Sequence, residues 1–433
     1  MSVGEDDDAG SRRAGPVSVA LQTVGCKLNQ AETESLARKF LEAGFEVVSP
    51  SENAEVFLLN TCTVTHIADR KCRQYLRAFR RQNPGAFILV TGCYAERAPD
   101  ELSQMREVDL VVSNADKDHI VEIVKDRIGI KSAAVEGKKP SLSSVLRTRP
   151  LIKIQDGCNR HCTYCIVPRV RGRERSIPAE AVISEIKARE EEGYKEVILT
   201  GTQIGSYEGN GGLEGLIRRI LTETSIPRVH LSSLQPQDLS PSLVQLWKSE
   251  PRICRHLHLP LQSGSDTVLR RMGRSYSRQE YEQALTLIRE AIPDIAVTTD
   301  VIVGFPGESE EEFEQSYEFC ARIGFAGLHV FPYSIRPGTP ASRMPNQVPE
   351  NVKRTRAQKM LELAKESAQS FRRRFLGQTL VVLWEEQKED SLWVGHTDNY
   401  LKVFVESKVS LNNRLTKAKL IGEHGRGLWG VLE

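Results

Sequence analysis

The spacing of apolar positions changes character along this chain. From residue 17 to 130, short apolar runs alternate with amphipathic stretches. Val17–Val24, Glu55–Asn60, Phe87–Thr91 and the short Asp109–Val112 read as strands. The stretches near Gln30–Ala43, Thr65–Gln82, Ala98–Arg106 and Lys117–Arg127 read as helices. Such alternation predicts an α/β fold, here a doubly wound parallel sheet with helices on both faces. The alternation resumes over 148–340, with candidate strands Leu151–Gln155, Glu196–Thr200, Arg228–Ser232, Leu257–Leu261, Ala296–Val303 and Gly327–Pro332. Helices fit between them at Ala179–Glu192, Leu213–Thr224, Ser277–Ala291 and Glu310–Ile323. Six strand–helix units are too few for a closed eight-stranded barrel. Beyond residue 377 the runs Thr379–Trp384, Trp393–Thr397, Lys402–Val405 and Ala418–Leu420 are separated by Gly, Asn and charged turns. That pattern predicts a small β-barrel.

These changes set the expected domains: a disordered tail over 1–15, a first domain over 16–135, a linker over 136–147, a second domain over 148–345, a basic helical connector over 346–376 and a last domain over 377–433. No apolar run approaches the roughly 20 residues that span a membrane, and Met1–Gly15 has no apolar core, unlike a secretion signal. The nine cysteines then belong in a reducing cytoplasm, where thiols stay free for metal.

Net charge is +2, so only its distribution is informative. Arg169, Arg171, Arg173 and Arg175 alternate, and an extended segment would put all four on one face. On the helix after Cys62, Arg73, Arg77 and Arg80 share a face beside Arg70, Lys71 and Arg81. Residues 351–376 hold eight Lys or Arg against two Glu, a local +6. Charge runs are usually solvated faces, but three of them favour a polyanionic partner.

The chemistry is in two cysteine trios. Cys158, Cys162 and Cys165 form a C-x₃-C-x₂-C triplet in Asp156-Gly-Cys-Asn-Arg-His-Cys-Thr-Tyr-Cys-Ile-Val-Pro168. Three thiolates on one loop leave one iron of a four-iron, four-sulfur cluster open for a small molecule. A structural zinc is the alternative, with His161 as a fourth ligand, but its usual spacings differ. Cys26, Cys62 and Cys93 each follow an apolar strand. In an open parallel sheet, strand carboxyl ends face one crevice, so three thiolates distant in sequence are expected to converge on a second cluster. Cys72, Cys254 and Cys320 read as structural.

The triplet, with Tyr164 before its third cysteine, resembles the signature of the radical S-adenosylmethionine (SAM) enzymes. With the dispersed trio ahead of it, the chain resembles the methylthiotransferases within that family. The segments Val24-Gly-Cys-Lys-Leu-Asn-Gln30, Asn60-Thr-Cys-Thr-Val64, Ala68-Asp-Arg-Lys71 and Cys165-Ile-Val-Pro-Arg-Val-Arg-Gly-Arg173 carry the resemblance. The first and third look like the branch acting on N6-threonylcarbamoyladenosine in tRNA.

The resemblance implies an open six-unit barrel over 148–345, with SAM held at strand ends. Tyr164 belongs to that pocket, with Gly201 and Thr202 near the amino group, Gln262 and Ser263 near the carboxylate or ribose, and Val303 near the adenine. It implies two four-iron clusters, on Cys158, Cys162 and Cys165 and on Cys26, Cys62 and Cys93. The first makes a radical from SAM and the second carries the sulfur to be inserted. The last domain resembles the TRAM domain, an OB-like RNA-binding barrel, in which Trp393, Tyr400 and Phe404 either stack on bases or pack the core. The implied partners are the tRNA anticodon stem-loop, bound with the help of Arg73, Arg77, Arg169, Arg171 and Arg173, a reducing electron donor and a sulfur donor. The rival readings are methylthio transfer to isopentenyladenosine or to a ribosomal protein, a radical SAM enzyme with zinc on the first trio, and an RNA-binding protein with a redox-sensing cluster.

Overall fold

A computed structural model describes residues 15–129, 147–389 and 391–433. The tail expected at 1–15 and the linker expected at 136–147 lie, but for residues 15 and 147, outside the described residues. The described chain forms two compact units. One holds the residues up to Val24, then Thr33–Thr61, then Arg70 onward to 129. The other holds Gly25–Glu32, Cys62–Asp69 and residues 147 to the end.

The first unit is built on a parallel sheet of β1 (Ser18–Thr23), β2 (Glu46–Val48), β3 (Val56–Thr61), β4 (Phe87–Gly92) and β5 (Leu110–Val111), in the order β2-β1-β3-β4-β5. Every residue of β3 is buried, as a central strand covered on both faces requires. Its helices are α1 (Lys27–Glu42), α2 (His66–Gln82), α3 (Cys93–Arg97), α4 (Pro99–Ser103) and α5 (Ile120–Ile128); α1 and α2 begin in segments assigned to the second unit. In α2, Cys72, Leu76 and Phe79 are buried at helical spacing. The helix expected at Ala98–Arg106 is the shorter α4, and a further short helix, α3, precedes it, ending where Pro99 lacks the N–H to continue it. The strand order reverses between β1 and β3, the position where open α/β sheets take ligands.

In the second unit, β6 (Leu151–Lys153), β7 (Gln155–Asp156), β8 (Arg175–Ser176), β9 (Glu196–Thr200), β10 (Arg228–Leu231), β11 (His256–His258), β12 (Ala296–Val303) and β13 (Gly327–Pro332) alternate with α6 (Val167–Arg171), α7 (Ala179–Glu191), α8 (Gly212–Glu223), α9 (Pro241–Ser249), α10 (Asp266–Met272), α11 (Arg278–Ala291) and α12 (Glu310–Ile323). Six strands form two parallel three-stranded sheets, β6-β9-β10 and β11-β12-β13. A bridge from Ser233 to His258 links them. This is the six-unit barrel expected from the sequence. Capping boxes at Ser277/Glu280 and Ser309/Glu312 start α11 and α12. The strand expected at Leu257–Leu261 stops at His258, and Gln262 takes φ +69°.

Helix α13 (Glu350–Arg373) leads to β14 (Thr379–Glu389), β15 (Leu392–Thr397), β16 (Lys402–Glu406), β17 (Leu415–His424) and β18 (Gly427–Leu432), which close into a barrel in the order β14-β15-β16-β18-β17. Trp384 and Trp393 are buried in its core, so of the two readings for Trp393 it packs the core.

Candidate functional site

The triplet loop runs from β7 to α6 and its shape is set by backbone contacts. Gly157 has φ +73°, and a Cβ there would lie 2.0 Å from the carbonyl oxygen of Arg173, so only glycine fits. The Cys158 N–H donates to the Gly172 carbonyl at 3.1 Å. The Thr163 N–H donates to the Met272 carbonyl at 2.9 Å, and its hydroxyl donates to the Arg271 carbonyl at 2.9 Å. The last turn of α10 has carbonyls without helical partners, and the loop takes them.

The donor set fits an iron–sulfur cluster. The Arg160 N–H donates to Cys158 Sγ at 3.4 Å, and Arg274 Nη1 donates to Cys162 Sγ at 3.4 Å. Such donors stabilise cluster sulfurs. Burial pushes the Cys165 thiol up to about 12, so it needs bound metal to become a thiolate. A tetrahedral zinc with 2.3 Å bonds holds its sulfurs about 3.8 Å apart. Among the described residues, the groups whose ligand atoms all lie within 4.8 Å are Glu196, His230 and Cys254, and His258, Asp300 and His329. The three loop sulfurs are not among these groups, and His161 is exposed.

A cavity of about 220 Å³ adjoins the loop, lined by Tyr164, Cys165, Val167, Gln262, Asp300, Ile302, Phe331 and Tyr333 among others. Tyr164 and Gln262 are therefore brought to the wall beside Cys165. Gln262 is held there by its N–H to the Asp300 carbonyl and the Ile302 N–H to its own carbonyl, both 2.8 Å. A non-glycine residue at positive φ is strained, and here the strain turns an amide into the cavity. Ser263 and Val303 do not line this cavity. Ser263 is buried against Ser316 at 3.0 Å. Val303 is 1% exposed in the core. Side chains alternate along a strand, so Asp300 and Ile302 face the cavity while the Val303 side chain points away from it. Gly201 and Thr202 are not on the wall. Gly201 packs against the Gln155 backbone, and the Thr202 hydroxyl is buried without a partner among the described residues.

Cys62 and Cys93 each directly follow the paired strand ends Thr61 and Gly92 of neighbouring β3 and β4, and Cys26 lies just beyond β1. Cys26 and Cys62 therefore flank the switch point of the sheet. Gly25, at φ +119°, packs on Cys62: a Cβ there would lie 2.5 Å from the Cys62 Cβ. Cys62 is buried and Cys26 exposed; the Val64 N–H donates to Cys62 Sγ at 3.5 Å. Cys93 opens α3 and is buried. All nine cysteines are free thiols.

Two buried arginines fix the segments that carry Cys26 and Cys62. Arg171 donates to Glu32 at 2.8 and 3.2 Å, to Asp156 at 3.0 Å and to Asn29. Lys153 spans the same two carboxylates at 3.0 and 2.8 Å. Burial pushes the Asp156 carboxyl up, but Arg171 and Lys153 outweigh it and hold it at about 2. Arg336 donates to Asp69 at 2.7 Å and to the Thr63 carbonyl at 3.1 Å. Sequence reasoning missed Arg336, Glu32 and Asn29, whose partners are 139 to 273 residues away.

The basic runs differ from the expectation. Residues 167–171 are helical, because Pro168 in a first turn is preset for helix, so the four arginines do not share one extended face. Arg169, Arg173 and Arg175 are exposed, whereas Arg171 is buried and committed to carboxylates. Arg73, Arg77 and Arg80 do share a face of α2, but Glu101, Glu107 and Asp109 meet them at 3.2, 3.9 and 2.5 Å. On α13, Lys353, Arg356 and Lys359 pair with Glu350, Glu308 and Glu314. On the last barrel, Phe404, His424 and Trp429 form a partly exposed aromatic row, with ring centroids 4.7 and 5.1 Å apart and the Lys402 ammonium over Phe404. The sequence had pointed to Phe404 but not to its partners. Tyr400 instead packs between His256 and His396.

Residues 152–320 match the radical SAM superfamily, and residues 18–113 match the uncharacterized protein family UPF0004. The chain is 37% identical to the threonylcarbamoyladenosine tRNA methylthiotransferase of Bacillus subtilis, over 93% of this chain and 94% of that one. It is 34% identical to the tRNA-2-methylthio-N6-dimethylallyladenosine synthase of Endomicrobium trichonymphae, over 90% and 93%. Among solved structures it is similar to TsrM, a radical SAM methyltransferase of Kitasatospora setae with cobalamin and a 4Fe–4S cluster bound, with a TM-score of 0.54 and 15% identity over 76% of this chain and 74% of that one. That likeness concerns the fold alone.

Proposed function

This chain belongs to the methylthiotransferase family of radical SAM enzymes, and on that premise we propose that it acts on tRNA. It replaces the hydrogen on carbon 2 of N6-threonylcarbamoyladenosine, at position 37 just 3′ of the anticodon, with a methylthio group. The observation that carries the substrate is the chain-long identity to relatives named for it, higher than to those named for dimethylallyladenosine.

The bond to be broken is an aromatic C–H with no acidity at neutral pH, so no side-chain base suffices and a cofactor must supply the reactivity. The cofactors are SAM and two four-iron clusters, which we assign to Cys158, Cys162 and Cys165 and to Cys26, Cys62 and Cys93. Bound there, the first supplies the electron that splits SAM and the second supplies the methylated sulfur. The protein's own part is positional. Arg274 and the Arg160 N–H offset negative charge at the loop sulfurs. Gln262 offers an amide to SAM, and Tyr164, Ile302, Phe331 and Tyr333 give the cavity a largely apolar wall, which keeps water from a reactive site. Arg171 and Arg336 hold the Cys26 and Cys62 segments against the barrel.

For the RNA, the aromatic row of Phe404, His424 and Trp429 offers stacking surface and Lys402, Arg169 and Arg173 offer phosphate contacts. Among the described residues no helix is long and apolar enough to cross a membrane, and the free thiols suit a cytoplasmic setting with a reducing electron donor and a sulfur donor at hand. The test is mass spectrometry of nucleosides from tRNA incubated anaerobically with reconstituted protein, SAM, sulfide and a reductant. Methylthio-threonylcarbamoyladenosine is the expected product. Methylthio-isopentenyladenosine alone would overturn the substrate, and no modified nucleoside despite active SAM cleavage would redirect the search to protein substrates.

A further inference from the structure

The seam where the last barrel meets α13 and the radical SAM barrel holds a second cavity, of about 120 Å³, that the reaction described above does not use. Its walls include His256 on β11, Thr298 on β12, Arg372 on α13, Tyr400 in the β15–β16 turn, and Lys402 and Arg426 of the last barrel. Three of these side chains are strong cations, and no Asp or Glu lines the cavity.

The three cations are unspent. Among the described residues, the side chains of Arg372, Lys402 and Arg426 make no hydrogen bond and no ion pair. Arg372 Nε is shielded from water and donates to nothing there. Glu423, whose charge reaches Arg372, is already held by Arg373 at 3.1 Å and Gln369 at 3.0 Å. Arg171, Arg336 and Arg356, by contrast, are each matched to a carboxylate. Like charges around one cavity repel, and a donor withdrawn from water without an acceptor is costly. An anion seated among the three relieves both costs.

The size of the cavity limits that anion. It is several times the about 30 Å³ that a water occupies in the liquid, so a phosphate group enters. Pockets for whole small molecules begin near about 300 Å³, so a base with its sugar stays outside. What stays outside meets the aromatic row. The Lys402 ammonium stands 5.2 Å from the centre of the Phe404 ring. Residues two apart on a strand share a face, so Lys402 and Phe404 leave β16 on the same side, and Phe404 is the register partner of Trp429. Arg426 lies in the turn between the paired His424 and Gly427, and it is exposed, which keeps the cavity open to solvent. Tyr400 braces the other side: it takes φ +65° and its ring packs on His256, with centroids 4.6 Å apart. A cationic cavity with flat rings one side chain away matches the layout of a single nucleotide, phosphate at one end and base at the other.

We infer that this cavity binds one backbone phosphate of the RNA, with Arg372, Lys402 and Arg426 as donors, and that the base of the same nucleotide stacks on Phe404 and Trp429. This rests on the tRNA substrate proposed above. It specifies an unpaired nucleotide of the anticodon loop, since a base inside the stem has no free face to stack. That nucleotide is not the target base. Ala296 lines this cavity and Ile302 lines the one beside Cys165, and six residues of β12 separate them, about 20 Å along a strand. The site is also composite: Arg372 comes from the connector helix and the other two cations from the last barrel, so the bound strand ties one to the other.

The test uses an anticodon stem-loop in which backbone phosphates are replaced one at a time by neutral methylphosphonates, with affinity for the cluster-loaded protein read by anisotropy. One replacement in the loop, away from the target base, is expected to weaken wild type about tenfold, the scale of one charge-assisted hydrogen bond. The same replacement costs Arg372→Gln at most about twofold on that scale. Because Arg426 is exposed, Arg426→Gln gives the same comparison without touching a packed side chain. Removing the base of that nucleotide weakens wild type and leaves Phe404→Ala unchanged. A wild type with no sensitive loop phosphate, or a phosphate whose replacement costs the variants as much as wild type, overturns the inference and leaves tRNA binding standing. A stem-loop that wild type does not bind removes the tRNA reading and this site together.

Discussion

Arg171→Met is the most decisive single perturbation outside the cysteines. Arg171 is 6% exposed, and its guanidinium bonds Glu32, Asp156 and Asn29 at once. Methionine roughly replaces its stem, so the loss is electrostatic. Removing one partner of a buried ion pair costs about 3–5 kcal/mol, because the other charge stays buried. Here Lys153 still reaches both carboxylates and the exposed Arg175 reaches Asp156, so the lower figure applies, about 3 kcal/mol. That cost falls on the attachment of Gly25–Glu32 and not on the hydrophobic core of the barrel. It corresponds to an increase of roughly a hundredfold in the released population of the segment. Hydrogen exchange on the cluster-free protein reads this directly: amides of α1's first turn, such as Gln30, exchange about a hundredfold faster, while those of α8 and α12 do not change. With clusters installed, release of 5′-deoxyadenosine per methylthio product rises, since SAM is cleaved while the other cysteine segment wanders. Arg171→Lys keeps one charge and restores part of both effects. Unchanged exchange at 27–32, or a uniform loss of protection across the second unit, would refute the clamp.

Other outcomes follow from the same geometry. Gly157→Ala places a methyl 2.0 Å from the Arg173 carbonyl oxygen at a positive φ, so the triplet loop cannot close; iron bound per chain falls by about half and SAM cleavage disappears, whereas Gly85→Ala, whose Cβ meets nothing, leaves both intact. Cys62→Ala spares SAM cleavage and abolishes methylthio transfer, and loss of both with the first cluster spectroscopically intact would deny separate roles. Burial lowers the pKa of His230 and His256, so both stay neutral in the fold and protonate when it opens. Their stabilisation is complete above the unfolded value of about 6.5 and is lost as pH falls below it, at up to about 1.4 kcal/mol per pH unit for each. Melting temperature therefore drops from pH 6.5 toward 4.5, and His256→Gln flattens that limb. For tRNA binding, Arg169→Ala and Arg173→Ala each lower the slope of log affinity against log salt by about 0.7–0.9 if they meet phosphates, and Arg171→Met leaves the slope alone.

Much of this was legible because the signals are local. β9, β12, β13 and α12 begin and end within a residue of where apolar period and capping residues put them. The cysteines declared themselves by spacing and by strand-end position. What escaped were features created by long-range packing. The arginines of 169–175 alternate like a strand, yet Pro168 starts a helix and Glu32 captures Arg171. Val303 and Ile302 are one residue apart, and only the register of β12 decides which of them meets the cavity. Arg274 and Arg336 sit in sequence surroundings with no motif of their own. His258, Asp300 and His329, scattered in sequence, are brought together by three different strands.

The near-neutral net charge also finds its explanation here. Several arginines that look in sequence like a polyanion-binding surface are spent internally, each against a carboxylate far along the chain: Arg171 on Glu32, Arg336 on Asp69, Arg356 on Glu308. Hydrophobic contacts would hold these segments at least as strongly, so strength alone does not account for the choice. A guanidinium fixes direction as well as distance, with donors in one rigid plane. An enzyme that must bring two metal groups and one base together within ångströms gains more from fixed geometry than from stability.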